Sequence, residues 1–510
     1  MKRGGDMKVL VIGLDGACMD LIKLWTGEGK LPTFEKLMSE GSYGNLESVT
    51  PPLTIPAWNC LATGKNPGKL GCFGFFQKVY GSYDFRLSAS LMKEKDIWDI
   101  LSDYGKKVFV INAPNVISAH KINGYMIAGF LCVSEENLAY PKSLRDLLRD
   151  MNYKRVSPDL IPFLTGSDYK ISRMLKETTE SNCKVLFHFL EKDWDFGFVV
   201  FQELDGAGHK FWDRKNILLK HYQNMDRKLK EILSKLNDVN NEANIIIVSD
   251  HGFGPNKRVF LINEWLIKKG LLKLRKKPYF VLINTLIRII KEQNILKILK
   301  LLMKFPHLLP IYESLFRRAQ MAPILWDKTK AFCCGEWGMI CVNLSGREPR
   351  GIVKEEEYEQ LRTEIIEGLA EISVKAYRRE ELYHGEYLEH APDIIIQIDD
   401  YVNSVAGKIG YNKEFVKGFI FKGYHNRING TFIAWGPNIK ENNEINAKIY
   451  DIAPTILHMF GIPIPRDMDG RVLKEIFKGE LAMREIKYQE IDERERIKKK
   501  LGELRRRGII

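Results

Sequence analysis

The chain has 510 residues, of which 45% are hydrophobic, 11% aromatic and 28% charged. That composition is ordinary for a globular protein and excludes collagen-like, mucin-like and wholly disordered chains. The formal net charge of +13 admits nucleic acid, a membrane surface or a small anion as partner and selects none of them.

The first residues, Met-Lys-Arg-Gly-Gly-Asp-Met, lead straight into the apolar run 9–14. The run is too short for a secretory leader, and no window approaches the ~18 apolar residues of a membrane span, so the expectation is a cytoplasmic chain. Eight cysteines without a CxxC pair outline neither a disulfide framework nor a zinc ribbon.

Short Val/Ile-rich runs at 9–14, 108–111, 196–201, 245–248 and 394–398 read as strands buried on both faces. Helical patterns at 33–39, 97–104, 171–190, 217–236 and 356–372 alternate with them. Alternation of this kind predicts an α/β fold, a mainly parallel central sheet flanked by helices on both faces. Ligands in such folds gather beyond the carboxyl ends of strands, so the residues that follow each run carry the most information.

Two segments depart from the pattern. The first, 268–318, holds 13 Lys+Arg against 2 Asp+Glu. It contains a helix-like stretch with Lys297, Lys300 and Lys304 on one face and leucine or isoleucine on the other. The second, 484–510, holds 10 against 6 and ends Arg505-Arg506-Arg507. Their charges are +11 and +4, and subtracting them from +13 leaves −2 for the rest. The expected organisation is a discontinuous core, 7–265 and 326–480, a basic helical cap insertion, 266–325, and a charged helical tail, 481–510. The insertion has two readings, a cap over the active site or an amphipathic contact with an anionic membrane surface. No nucleic-acid-binding motif accompanies the basic residues, so specific nucleic-acid binding is not expected.

The strand ends supply the chemistry. The first strand ends Gly13-Leu14-Asp15-Gly16, and 196–201 runs into Glu203-Leu204-Asp205-Gly206-Ala207-Gly208-His209. The run 245–248 leads into Ser249-Asp250-His251-Gly252-Phe253-Gly254, and His425 lies in Gly423-Tyr424-His425-Asn426-Arg427. Mixed Asp/His sets suit borderline ions such as Zn²⁺ or Mn²⁺. Asp205 and His209 share a face if the glycines between them are helical. Asp250 and His251 can share an ion only if the chain has left the sheet, which Gly252 and Gly254 permit. Six such donors are enough for two ions. Thr54, in Leu53-Thr54-Ile55-Pro56-Ala57-Trp58, lies where Pro56 allows a helix to begin. It reads either as a helix cap or as a nucleophile activated by metal.

This ordered set resembles the alkaline phosphatase superfamily, specifically its type I phosphodiesterase/nucleotide pyrophosphatase branch, from Lys8 to about Arg471. The stretch 450–457 is similar to that superfamily's last core helix. The resemblance implies an alkaline phosphatase-like fold and two divalent ions, Zn²⁺ or alternatively Mn²⁺. Asp15, Asp250 and His251 would hold one ion with Thr54 directed at it, and Asp205, His209 and His425 the other. It further implies phosphodiester or pyrophosphate hydrolysis through a phosphothreonine on Thr54, with a small anionic phosphoester as substrate. The alternatives are a phosphomonoesterase or phosphotransferase on the same scaffold, and a membrane-surface or anionic-ligand binding protein.

The Thr-Ile-Pro-Ala-Trp run lacks the Cys/Ser-x-Pro-x-Arg pattern of sulfatases. Leu70 precedes Gly71 where relatives often carry His, and no asparagine stands at the spacing where relatives aim one at the phosphoryl oxygen. Asn59 and Asn112 are the substitutes considered. His120, His188, His221, His307, His384, His390 and His458 lack motif partners and are set aside as structural, and Cys333-Cys334 is read as buried.

Overall fold

The computed structural model describes residues 7–88, 94–132, 134–155, 166–239, 242–275, 321, 323–333, 338–399, 401–418 and 421–490. Its centre is a sheet that, among these residues, has nine strands. In chain order they are β1 Val9–Leu14, β2 Ser42–Glu47, β3 Val108–Ala113, β4 Gly124–Ala128, β5 Ala139–Tyr140, β6 Phe196–Phe201 and β7 Asn244–Val248. A small ribbon, β8 Gly252–Pro255 with β9 Gly423–Arg427, precedes the last two strands of the sheet, β10 Asn429–Trp435 and β11 Asn443–Lys448. The spatial order is β11-β2-β10-β7-β1-β6-β3-β4-β5.

The middle of the sheet, β7-β1-β6-β3-β4, is parallel throughout, as is β2 with β11. Strand β10 runs antiparallel to both of its neighbours, and β5 runs antiparallel to β4. Alternation along each central strand feeds two separate cores. Val9 and Val11 of β1, Phe196, Phe198 and Val200 of β6, and Ile246 and Val248 of β7 face one side, against Trp58, Trp98 and Ile456. Leu10, Ile12, Leu14, Val199, Phe201, Ile245 and Ile247 face the other, against Trp25, Phe189 and Tyr222. Burial on both faces is what a continuous apolar run reports, and here it holds for β1, β3, β6 and β7.

Four helices matter for the site: α1 Thr54–Thr63, α2 Asp168–Leu190, α3 Glu203–Phe211 and α4 Lys215–Asp238. The helices expected at 33–39, 97–104 and 356–372 are Pro32–Ser39, Ile97–Asp103 and Glu355–Ala370. The stretch likened to a last core helix is Ile452–Met459.

One strand sits elsewhere than expected. Ile394–Ile396 belongs to a separate four-stranded sheet, antiparallel to both neighbours, Met339–Val342 and Ala376–Arg378. Its three isoleucines are fully buried, Ile394 and Ile396 in one cluster and Ile395 in another. An apolar run records burial on both faces, and strand direction is a separate matter.

The helix-like stretch carrying Lys297, Lys300 and Lys304 lies outside the described residues. The two ends of that excursion meet in a neck: Leu274 bridges Ile324, Arg275 N–H donates to Pro323 O, and Leu325 N–H donates to Lys273 O. Of the tail, the described part contains the short helix Glu480–Met483 and a two-residue strand, Tyr488–Gln489, paired with Ile464–Pro465. Residues 491–510 lie outside the described set. No described helix is long and apolar enough to cross a membrane. Cys341 is disulfide-bonded, whereas Cys18, Cys60, Cys72, Cys132 and Cys183 are free and buried, and Cys333 is buried.

Candidate active site

The carboxyl ends of the adjacent strands β7, β1 and β6 bring three loops together. Asp15 leaves β1, Asp250 and His251 leave β7, and α3 starts two residues after β6. Hydrogen bonds lock the loops after β1 and β7 to each other and to β10. Gly16 N–H donates to Asp250 Oδ1 (3.1 Å), and Ser249 Oγ donates to Ala17 O (2.7 Å) while accepting from Thr431 N–H (2.7 Å). Phe253 N–H donates to Cys18 Sγ (3.0 Å).

After Val248 the chain leaves the sheet and enters the β8–β9 ribbon, whose register shifts between Gly252 and Gly254. Both glycines are required by close approach: a Cβ on Gly252 would stand 2.4 Å from Asn429 O, and one on Gly254 would stand 2.1 Å from Asn426 Oδ1. The ribbon carries His425 beside His251, with the rings stacked at 3.7 Å between centroids.

Two sets of donors result. In the first, His251 Nε2 lies 3.2 Å from Asp250 Oδ2, 3.7 Å from Asp15 Oδ1 and 3.4 Å from Thr54 Oγ1. In the second, His425 Nε2 lies 3.1 Å from Asp205 Oδ1 and 3.0 Å from His209 Nε2, and His209 Nε2 lies 3.6 Å from Asp205 Oδ1. Donors at ~2.1 Å around a tetrahedral ion stand ~3.4 Å apart, so both sets have the spacing of a coordination shell. Asp15, Asp250 and His251 are a buried cluster of metal-ligating type, as are Asp205, His209 and His425 with partial exposure. Helix α3 does form through Gly206 and Gly208 and turns Asp205 and His209 toward the same point.

The electrostatics fit a divalent cation. Asp15 Oδ1 and Asp250 Oδ2 are buried without a hydrogen-bond partner. Burial, followed by the charges of Asp250 and Asp205, pushes Asp15 well above the usual carboxylate range. Burial pushes Asp250 up to about 7 against the pull of His425. Burial also works to raise Asp205, but its imidazole neighbours, His209 foremost, outweigh it and hold Asp205 below the ordinary range. Burial takes His209 and His251 down to about 4 and lowers His425.

The imidazoles are therefore unprotonated at neutral pH. His209 Nδ1–H donates to Gly423 O (3.0 Å) and His251 Nδ1–H to Gly252 O (3.2 Å), tautomers assigned from those bonds, so each Nε2 lone pair faces inward. Buried carboxylates crowded together without a cation are costly, and inward lone pairs beside them are what a divalent ion requires.

Thr54 is the first residue of α1 and is buried. The cap position is Leu53, which makes no side-chain cap bond, so Thr54 does not act as a cap. Its hydroxyl donates toward His251 Nε2, and the first-turn amides beside it lack intrahelical acceptors. Trp58, one turn further along α1, lies near enough to Asp15 to favour its carboxylate, although its buried indole N–H makes no hydrogen bond. Trp58 and Ser249 escaped sequence reasoning. The i,i+4 spacing of Trp58 from Thr54 was the available signal, as was the position of Ser249 directly before Asp250.

Neither candidate asparagine reaches the site. Asn59 Nδ2 donates to Ile55 O and Cys72 Sγ, and Asn112 Nδ2 donates to Val200 O and Gln202 Oε1. Of the histidines set aside, His120 pairs with Asp99, His384 with Asp469 and His458 with Leu481 O. His221 is fully buried against Glu203, and His307 lies outside the described residues.

Comparison with known proteins follows the same line. The family model described as type I phosphodiesterase/nucleotide pyrophosphatase matches residues 9–424, a span that includes every donor named above except His425. No curated protein sequence matches significantly. Among solved structures, human ectonucleotide pyrophosphatase/phosphodiesterase 5 aligns with a TM-score of 0.52 at 15% identity, covering 93% of this chain and 100% of its own. The murine protein aligns with a TM-score of 0.52 at 15% identity, covering 92% and 100%. An inactive form of the murine protein in complex with AMP gives 0.51 at 15% identity, covering 89% and 95%. These likenesses show a shared fold, the mixed α/β architecture described above. With its family model running through most of the chain, this protein belongs to the type I phosphodiesterase/nucleotide pyrophosphatase family.

Proposed function

We propose that the chain is a two-metal hydrolase that cleaves phosphodiester or pyrophosphate bonds through a phosphothreonine on Thr54. The observation that carries this reading is the convergence of Asp15 Oδ1, Asp250 Oδ2 and Thr54 Oγ1 on His251 Nε2, beside a second set of like spacing. Asp15, Asp250 and His251 would hold one divalent ion, and Asp205, His209 and His425 the other. The equal share of carboxylate and imidazole favours Zn²⁺, with Mn²⁺ as the alternative. Bound there, the ions supply charge neutralisation for the phosphoryl group and a lowered pKa for hydroxyl and water.

The chain's own residues do the rest. Thr54 Oγ1 gives up its proton to water and attacks phosphorus, forming the phosphothreonine ester as the bond to the far-side ester oxygen breaks and that oxygen takes up a proton from water. The first-turn amides of α1 favour the phosphate oxygens. Water then adds to phosphorus, the bond to Oγ1 breaks, and Thr54 recovers its proton. Burial of Thr54 keeps bulk water away from the hydroxyl before substrate arrives.

The test is Thr54→Ala. The expected outcome is loss of turnover with both ions still bound, read by metal analysis and by hydrolysis of a bis-aryl phosphodiester. Turnover at the wild-type rate would end the proposal. Faster cleavage of the aryl monoester than of the diester would move the assignment to a phosphomonoesterase. The AMP bound in the murine structure makes nucleotide diesters the first natural compounds to assay.

A further inference from the structure

Helix α3 has two faces with different occupations. At about 100° per residue, Glu203, Ala207 and Phe211 form one stripe, and Asp205 and His209 lie on the opposite side. The second stripe presents the donors of the Asp205/His209/His425 set. The first is held by one residue of α4. His221 Nδ1–H donates to Glu203 Oε1 (2.7 Å), and the His221 ring stacks on Phe211 at 5.6 Å with the planes 10° apart. The same imidazole thus grips both the first and the last residue of α3.

The grip is complete in its hydrogen bonding. Asn224, three residues beyond His221 on α4, donates from Nδ2 to Glu203 Oε2 (2.8 Å). Ser172 on α2 donates to His221 Nε2 (2.8 Å). The side chains of Glu203 and His221 are both 0% exposed. Glycines let the neighbours close in on the flanks. A Cβ on Gly206 would stand 2.6 Å from the Leu175 side chain of α2, and one on Gly208 would stand 2.9 Å from Phe253.

The order Ser172–His221–Glu203 has the connectivity of a hydrolase triad. With His221 and Glu203 wholly buried, no substrate reaches the imidazole, and the arrangement is a clamp. An apolar contact would have packed α3 at less desolvation cost, but it would not have fixed rotation about the helix axis. Rotation is the coordinate that moves Asp205 and His209 away from His425, and ligand sets tolerate only about 0.5 Å.

We propose that Glu203 and His221, supported by Asn224 and Ser172, are positioning residues that set the rotation of α3 and so the affinity of the second donor set for its ion. The inference rests on the proposed reading of Asp205, His209 and His425 as ligands. The experiment uses chelator-stripped full-length protein titrated with Zn²⁺ in a calorimeter. In an Asp250→Asn background, which disables the first set, His221→Gln and Glu203→Gln should each weaken the remaining ion about 10-fold. Ser172→Ala, which leaves the buried pair intact, should weaken it less. In an Asp205→Asn background, which disables the second set, the same substitutions should leave the remaining ion's affinity unchanged. A role confined to stability would lower Tm and affect both backgrounds alike, and that result would overturn the inference, as would no loss in the first background. Should the Asp250→Asn protein bind no ion at all, the ligand reading fails and the inference falls with it.

Discussion

Buried aspartates in two parts of this molecule have opposite surroundings. Asp393 is fully buried in the lobe built from Ala331–Cys333, Met339–Val342, Ala376–Arg378 and Ile394–Ile396. It receives both terminal nitrogens of Arg347 (2.7 and 2.6 Å), the Tyr358 hydroxyl (2.5 Å) and Val342 N–H (2.6 Å). Burial works to raise its pKa, but Arg347 outweighs it and holds the carboxyl below the ordinary range. Asp15 and Asp250 are as deeply buried, have an unpartnered oxygen each, and are pushed upward. Protein cations neutralise the first group. The second has no protein cation beside its unpartnered oxygens, as the proposed ion would require. Buried charge alone therefore does not mark a functional site. Clustered buried carboxylates whose oxygens lack both a protein counter-ion and a hydrogen-bond donor point to one.

Breaking the first group should have the larger effect on stability. Asp393→Asn removes the bidentate partner of buried Arg347 and leaves it only Glu348 as counter-charge, and a loss of up to about 3–5 kcal/mol is expected in denaturant unfolding. The matching change, Asp250→Asn, should cost at least ~100-fold in turnover. In chelator-stripped protein it should leave stability equal or higher, because an uncompensated carboxylate has been removed. Equal destabilisation by the two substitutions would erase the distinction between the groups.

Metal addition sharpens the contrast. Zn²⁺ at about 100 times its Kd should stabilise the stripped wild type by about 2.7 kcal/mol per site, read as a rise in Tm. Asp250→Asn should lose the part due to the first ion, and Asp393→Asn should keep both.

The two groups should also differ in pH dependence. Asp250 is raised to about 7 in the fold from about 4 in an unfolded chain. Between those values the folded stripped protein binds more protons than the unfolded one, so this group makes stability fall as pH rises from 4 to 7. Asp393 is depressed, so its contribution is present above pH 4 and is lost as pH falls below it. Unfolding of stripped protein from pH 4 to 7, with and without Asp250→Asn, isolates the first slope. An unchanged slope in that variant would remove Asp250 as its source.

Much of this was legible in the residues. Continuous apolar runs marked the central strands, because a strand covered on both faces needs no polar alternation. The Asp/His set after those runs was legible because a parallel sheet puts its strand ends on one side. Asp205 and His209 could be paired from their i,i+4 spacing alone. Other features were hidden. Ile394–Ile396 looked like a central strand, since burial on both faces is common to both sheets. His221 looked like a structural histidine, and only its contacts with Glu203 and Phe211 tie it to α3, the helix that carries Asp205 and His209. Asn59 and Asn112 looked able to reach a phosphoryl group, yet local carbonyl, amide and sulfur acceptors take their donors.

By itself the sequence determined which side chains can bind metal and in what order they follow the strands, since periodicity and turn chemistry are local properties. The tertiary structure alone decided that Thr54, Asp15, Asp250 and His251 meet at one nitrogen. It also decided that His425 crosses from a distant ribbon to complete the second set. Those are contacts between residues up to hundreds of positions apart, and only packing of the sheet, its loops and α3 brings them within 4 Å.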